Sequence, residues 1–168
     1  LLCGYALARY DFPGNKAVYK FVVGLLAIPV HALLVPVYMF IEDLKLLNNF
    51  LGVILVYSTF WLPFSIIIMR SYFESIPKET EEAARIEGCS EFGVFFLVGV
   101  PISKGAIATL IIVNVVGIWS ELMFSSVLLM DPEVRTLPLG VMMFKSGMYN
   151  SSIANLMAAL SIATIPLL

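Results

Sequence analysis

Long apolar runs alternate with short charged clusters along this chain. Four long stretches hold no charged side chain: residues 21–41, 46–69, 105–120 and 146–168. All but the third exceed the roughly 18 apolar residues that suggest a helix crossing a bilayer. The third is short by a turn, but beyond Glu121 it continues into the apolar stretch 122–130, which suits a tilted span ending at a rim carboxylate. The pattern predicts an all-α, polytopic membrane helix bundle with four full spans. Pro29, Pro36 and Pro63 fall inside these runs, where each removes a backbone donor and predicts a kink.

Residues 71–104 break the pattern. From Ser71 to Gly88 the chain is amphipathic, and its ends are readable as those of a helix. Pro77 suits a first helical position, Glu79, Glu81 and Glu82 favour the positive end of the helix dipole, and Gly88 suits a left-handed stop. Arg85 stands four residues from Glu81 and three from Glu82, in reach of both on a helix. Ser90 is a candidate N-cap for a second segment, residues 91–100, ending before Pro101. The uncharged run 92–103 is too short to span and reads as an interfacial or re-entering segment. Two short helices meeting at a glycine, with small Ala83 and Ala84 beside the corner, make a knob that fits a groove on a soluble partner.

Composition agrees with a lipid environment: 60% of residues are hydrophobic, 13% are charged, and mean hydropathy is +0.96. Soluble domains carry about twice that share of charge. The chain opens on Leu1 with no basic leader and closes inside an apolar run, so residues 1–168 read as a fragment of one transmembrane domain, beginning with the end of a preceding helix. With alternating spans, Arg9, Lys16, Lys20, Arg70, Lys78, Arg85 and Lys104 share one side, and Lys45, Arg135 and Lys145 the other. Seven of the 10 basic residues thus mark the first side, including the 71–104 loop, as cytoplasmic.

Charge and motif content exclude several functions. A net charge of −2 without a basic stripe argues against nucleic-acid binding. Cys3 and Cys89 lack metal-ligand spacing and read as free thiols, and the single His31 has no second ligand within a turn, so no metal site is expected. His31 reads as packed or pore-facing in an apolar helix. No nucleophile–base pair and no glycine-rich phosphate loop is present, so no catalytic residue is expected and any ATP chemistry belongs to another polypeptide. Polar groups in membrane helices face the bundle interior. Asn114 is read first as a link between helices and Trp119 as an interfacial anchor. With Glu121, Asn150 and Asn155 they are the weaker candidates for a solute pathway. The segment 131–149 closes the bundle on the outer side or meets a binding protein.

The loop carries a family resemblance. Glu82-Ala83-Ala84, three residues, Gly88, nine residues, then Val98, Gly99, Val100 and Pro101 resemble the EAA signature of ATP-binding-cassette (ABC) importer permeases. Val98 and Val100 stand where Ile and Leu are usual, Glu87 where Asp is common and Cys89 where Ala is common. The flanks, Gly4-Tyr5-Ala6-Leu7-Ala8-Arg9-Tyr10 with Phe12-Pro13-Gly14, then Pro29, Leu34-Val35-Pro36-Val37-Tyr38, Ser75-Ile76-Pro77-Lys78-Glu79 and Arg135-Thr136-Leu137-Pro138-Leu139-Gly140, resemble carbohydrate-type permeases similar to the smaller maltose-transporter subunit. Ser120 departs from that pattern, which often has asparagine there.

The resemblance implies a translocation subunit, not an enzyme, of a binding-protein-dependent importer for a sugar, oligosaccharide or polyol, in the cell inner membrane. It implies that Glu82, Ala83, Ala84, Arg85, Gly88 and Pro101 couple the subunit to its ATPase. It further implies two ATPase subunits, which hold the ATP and Mg that this chain does not, a second permease, identical or sister, and an extracytoplasmic solute-binding protein. Amino-acid-type ABC permeases are the nearest alternative; they share the loop but not the Ile76-Pro77-Lys78-Glu79 and Thr136-Leu137-Pro138 flanks. An ion-coupled secondary transporter would need ionisable groups in mid-membrane, where the spans offer only His31. A non-transporting membrane scaffold is the third rival.

Overall fold

A computed structural model describes residues 1–145 and 153–167. Every regular element among them is helical. In order they are α1 (Leu2–Arg9), α2 (Asn15–Leu25), a 3-10 turn (Val30–Leu33), α3 (Leu34–Asp43), α4 (Phe50–Ser75), α5 (Glu79–Ile86), α6 (Glu91–Val94), a π-helical segment (Phe95–Gly99), α7 (Val100–Ile102), α8 (Lys104–Trp119), α9 (Met123–Leu128), a second 3-10 turn (Pro132–Val134), α10 (Leu137–Lys145), α11 (Ile153–Thr164) and a closing 3-10 turn (Ile165–Leu167). Contacts divide the chain into two units, Leu1–Pro29 with Thr59–Asn114, and Val30–Ser58 with Val115–Leu168.

The predicted spans map onto these helices unevenly. Helix α4, with 26 residues, is about 39 Å long, more than the roughly 30 Å of a hydrocarbon core. Among the described residues it is the one helix long and apolar enough to cross alone, and two bent pairs raise the number to as many as three. The run 21–41 is not one helix: α2 stops at Leu25, a turn follows, and Pro29 precedes the 3-10 turn. His31 therefore sits exposed on that turn and not inside a helix. The run 105–120 is α8, with 16 residues. Of the run 146–168, the residues 146–152 and Leu168 lie outside the described residues, and α11 supplies 12 helical residues.

In the first unit α1 packs on α4 backbone to backbone. A Cβ on Gly4 would stand 2.9 Å from the Met69 Cβ and 3.1 Å from the Arg70 nitrogen, so only glycine allows this approach. Around the contact Tyr5, Met69, Phe73, Ile76 and Phe95 form a buried cluster. Tyr5 meets Phe73 and Phe95 edge to face at 5.1 and 5.0 Å, the arrangement that ring quadrupoles favour. The Pro13-Gly14 turn is as predicted, with Gly14 left-handed (φ 93°). Asn15 closes it by donating to the carbonyls of Leu7 and Tyr10. Arg70 lies over the Tyr19 ring at 3.5 Å and pairs with Glu74 at 2.7 Å.

Pro101 does not end the second loop helix. It lacks the N–H that would bond the Leu97 carbonyl and its ring would crowd that carbonyl. The helix instead widens to π geometry over Phe95–Gly99, with the Val100 N–H donating to Phe95, and runs on to Ile102. Buried Ser103 donates to the carbonyl of Gly99 at 2.8 Å, and Tyr72 donates to that of Ile102 at 3.1 Å. The chain then bends by 71° into α8.

In the second unit the turn from α3 to α4 sets the packing. Lys45 is left-handed (φ 57°), the Leu46 N–H donates to the Ile41 carbonyl and the Lys45 N–H to that of Glu42, a Schellman end built without glycine. Asn48, also left-handed (φ 53°), accepts from the Asp131 N–H at 2.9 Å and donates its own N–H to the Leu128 carbonyl. These bonds hold Asn48 against the 128–131 segment. All seven basic residues assigned above to one side fall in the first unit, and Lys45, Arg135 and Lys145 fall in the second.

Candidate functional site

Helix α5 begins at Glu79, not at Pro77, which stands two residues earlier. The Lys78 carbonyl takes the first helical bonds, from the N–H groups of Glu81 and Glu82. The Ile76 carbonyl, left outside the helix, accepts from Arg9 Nη2 at 3.0 Å. At the other end Gly88 is left-handed (φ 89°). Its N–H donates to Arg85 and the Cys89 N–H to Ala84, a complete Schellman motif at the predicted glycine. Ser90 then caps α6 as expected, its Oγ accepting from the Gly93 N–H at 3.2 Å. With the helix end and the next N-cap joined by one residue, the corner has little freedom to swing.

The two faces of α5 are unlike. Glu82, Ala83, Glu87 and Gly88 are exposed, as is Ile86 at 87%. An apolar side chain so open on a short helix is not there for this chain's own core. Ala84 and Arg85 are half-buried. On the same side as Ala84 and Arg85, Glu81 is 2% exposed. Its Oε1 accepts from Arg9 Nε at 2.8 Å, its Oε2 from the Tyr5 hydroxyl at 3.1 Å, and Arg85 stands 3.8 Å away. A buried carboxylate needs this degree of pairing.

Arg85 does not rely on its own helix. It reaches across the corner to Glu91, Nε to Oε1 at 2.9 Å and Nη2 to Oε2 at 3.1 Å, a fork that fixes orientation as well as distance. Tyr10 donates to the same Glu91 carboxylate. The Arg85 bond, helped by the Tyr10 hydroxyl, holds the Glu91 carboxyl below its ordinary value. Burial, and then the Glu91 bond, push the Tyr10 phenol up. The corner is thus braced to the end of α1, and the brace is charged at neutral pH.

The polar residues proposed for a solute path do not all converge. Asn114 donates to Ser65 Oγ at 3.1 Å, joining α8 to α4, and Ser65 in turn donates to Trp61. Trp119 donates its indole N–H to the Ala163 carbonyl at 3.1 Å, joining α8 to α11. Glu121 accepts from the N–H groups of Phe124 and Ser125 at 2.8 and 3.3 Å, neutralising donors of the first turn of α9, and from the Tyr57 hydroxyl. Trp119 and Glu121 share the wall of a cavity of about 440 Å³ with Tyr57, Thr136, Leu137 and Pro138. Asn155 lies on α11 with its residue exposed. Asn150 lies outside the described residues. Pro101 stands at the start of α7, past the π segment, and shapes the loop from within.

Nothing in the local pattern marks the Arg9–Glu81 pair, whose members are 72 residues apart. Glu81 offered one hint: on a helix it falls opposite Ala83 and next to Arg85, so a one-sided core would bury it.

The whole chain, residues 1–168, matches the family described as binding-protein-dependent transport system inner membrane component. It is similar to a probable ABC transporter permease protein, YurM, of Bacillus subtilis, with 37% identity covering 98% of this chain and 54% of the relative. It is also similar to the diacetylchitobiose uptake system permease protein NgcG of Streptomyces coelicolor, with 32% identity covering 99% of this chain and 56% of the relative. Among solved structures, a bacterial ABC transporter involved in the import of the acidic polysaccharide alginate superposes with a TM-score of 0.74 at 28% identity, over 95% of this chain and 55% of that one. The chain spans about half the length of the curated relatives it matches. The all-α arrangement, the glycine corner and these matches agree: the chain belongs to the family of binding-protein-dependent transport system inner membrane components.

Proposed function

We propose that the full subunit is the permease of an ATP-driven, binding-protein-dependent importer for a sugar, oligosaccharide or polyol, and that the 82–88 corner docks its ATPase. The supporting observation is the two-faced α5: Ile86, Ala83 and Glu82 point outward from a helix whose end is locked by Gly88 and whose other face is held by Glu81. Such a rigid apolar tip with a carboxylate rim suits insertion into a groove. The diacetylchitobiose and alginate transporters among the similar proteins favour a carbohydrate solute. On this reading the corner is cytoplasmic, and ATP and Mg are bound and ATP is hydrolysed on the partner. A second permease completes the pathway, and an extracytoplasmic binding protein delivers solute. Closure of the ATPases moves the corner, and the bundle switches between outward- and inward-facing states as rigid bodies. Asn114, Trp119, Glu121, Asn150 and Asn155 are the residues proposed to border the solute path, with Trp119 and Glu121 foremost because they share one cavity wall.

Co-purification of the full subunit with its ATPase, wild type against Gly88→Asp, tests the docking. A Cβ at Gly88 meets open space, so the substitution strains the backbone by about 1–2 kcal/mol and places a charge on the docking face without a clash. Loss of the ATPase from an inserted subunit is expected. Equal binding by both proteins overturns the assignment.

A further inference from the structure

We propose that Glu81 is a positioning residue that ties the docking helix to α1, so that α1 and α5 move as one body when the ATPase closes. This rests on the docking role proposed for the 82–88 corner and goes beyond it, because it names the element that the corner drives. The outward face of α5 is free for a partner, whereas its inward face is fastened to α1 at two points, and the chain just before it at a third. Glu81 holds Arg9 at 2.8 Å and Tyr5 at 3.1 Å, and Arg9 also holds the Ile76 carbonyl at 3.0 Å. The Arg9 and Glu81 side chains are 4% and 2% exposed. Water cannot replace either partner there, so the pair does not exchange as a surface pair does. A second tie runs from Tyr10 through Glu91 to Arg85. By contrast, α5 is joined to α4 through the stretch 76–78, which lies outside any helix. The side-chain ties from the corner therefore lead directly to α1, whereas the chain itself reaches α4 only through this non-helical stretch.

The test uses the full-length subunit bound to its ATPase, in a Cys3→Ser, Cys89→Ser background with spin labels at Asp11→Cys and Glu79→Cys. Both labelled positions are exposed. Distances are measured without nucleotide and after trapping with ATP and vanadate. One narrow distribution, the same in both states, is expected. In Glu81→Gln and in Arg9→Gln the ATPase is expected to stay bound, while the distribution broadens and its mean shifts on trapping. A purely structural role would broaden it equally in both states, and that result overturns the proposal. A wild-type distance that changes on trapping overturns it as well, as do variants that keep the wild-type distribution. If the Gln variants do not insert, the wild-type comparison alone decides. An ATPase that never binds the wild type removes the docking reading and this one with it. An ATPase that binds while the α1–α5 distance changes removes this one alone.

Discussion

Arg85 grips Glu91 with two parallel hydrogen bonds across the Gly88 corner, at 2.9 and 3.1 Å. The bonds close a short loop between two helices that would otherwise hinge on the left-handed glycine. Because Glu91 is titrated below its ordinary value of 4.5, the brace has a pH dependence with a definite sign. A carboxyl depressed on folding contributes stability above its unfolded pKa and loses it as pH falls through its folded one. The corner is expected to keep its rigidity from neutral pH down to the ordinary carboxylate range and to loosen below it. Amide exchange of residues 86–93, corrected for intrinsic rate, checks this. Glu91→Gln is expected to show at neutral pH the faster exchange that wild type shows only in acid.

Ile86 is open to solvent along nearly its whole side chain. Its replacement by Asp is expected to leave the melting temperature of the free subunit within error while weakening ATPase binding by about 2 kcal/mol or more, the scale of a central interface anchor. That corresponds to roughly a 30-fold loss of affinity. Titration calorimetry on the purified pair reads it, and unchanged affinity removes Ile86 from the interface.

A Cβ on Gly52 would lie 2.5 Å from the Leu46 carbonyl oxygen and 3.2 Å from Ile41 Cγ2. The near atom is backbone and cannot rotate away. Gly52→Ala is expected to cost about 1–3 kcal/mol, outweighing the gain of up to about 1 kcal/mol from better helix propensity. Thermal unfolding of the full subunit in detergent measures the balance, and a raised melting temperature contradicts the packing of the 44–52 turn.

The opposite sign is expected at Lys45. This residue occupies the glycine position of a Schellman end with φ 57° and is exposed, so its side chain is bound by little that glycine would forfeit. Lys45→Gly is expected to stabilise by a few tenths to about 1 kcal/mol, the strain relieved exceeding the added freedom of the unfolded chain. The same thermal assay applies, with Gly88→Ala as the mirror case that should destabilise.

What the sequence revealed depended on how local each cause was. The Gly88 stop, the Ser90 cap and the Pro13-Gly14 turn follow from residue types acting on their neighbours, and all three are found where the pattern puts them. Composition likewise exposed the apolar stretches and the all-helical class. The break between Leu25 and Leu34 was hidden because hydropathy registers how apolar a stretch is and not whether its backbone bonds continue. Pro101 misled for a related reason: proline often ends a helix, but here a π turn absorbs it. The Schellman end at Lys45 had no glycine to announce it. Arg9 with Glu81, and Tyr57 with Glu121, are joined only by tertiary packing, and no spacing rule reaches 72 or 64 residues.

The interruption between Leu25 and Leu34 says something about what surrounds the chain. Acyl chains offer no donors or acceptors, so irregular backbone at membrane depth persists only against protein or water. Through this stretch the ladder gives way to short-range bonds, Leu26 to Val23, Ala27 to Gly24 and Ile28 to Leu25, and Pro29 brings no donor at all. A helix turned wholly toward lipid would not stop there. Wherever residues 26–33 lie within a bilayer, their interrupted backbone calls for protein or water beside it, because acyl chains cannot answer its polar groups.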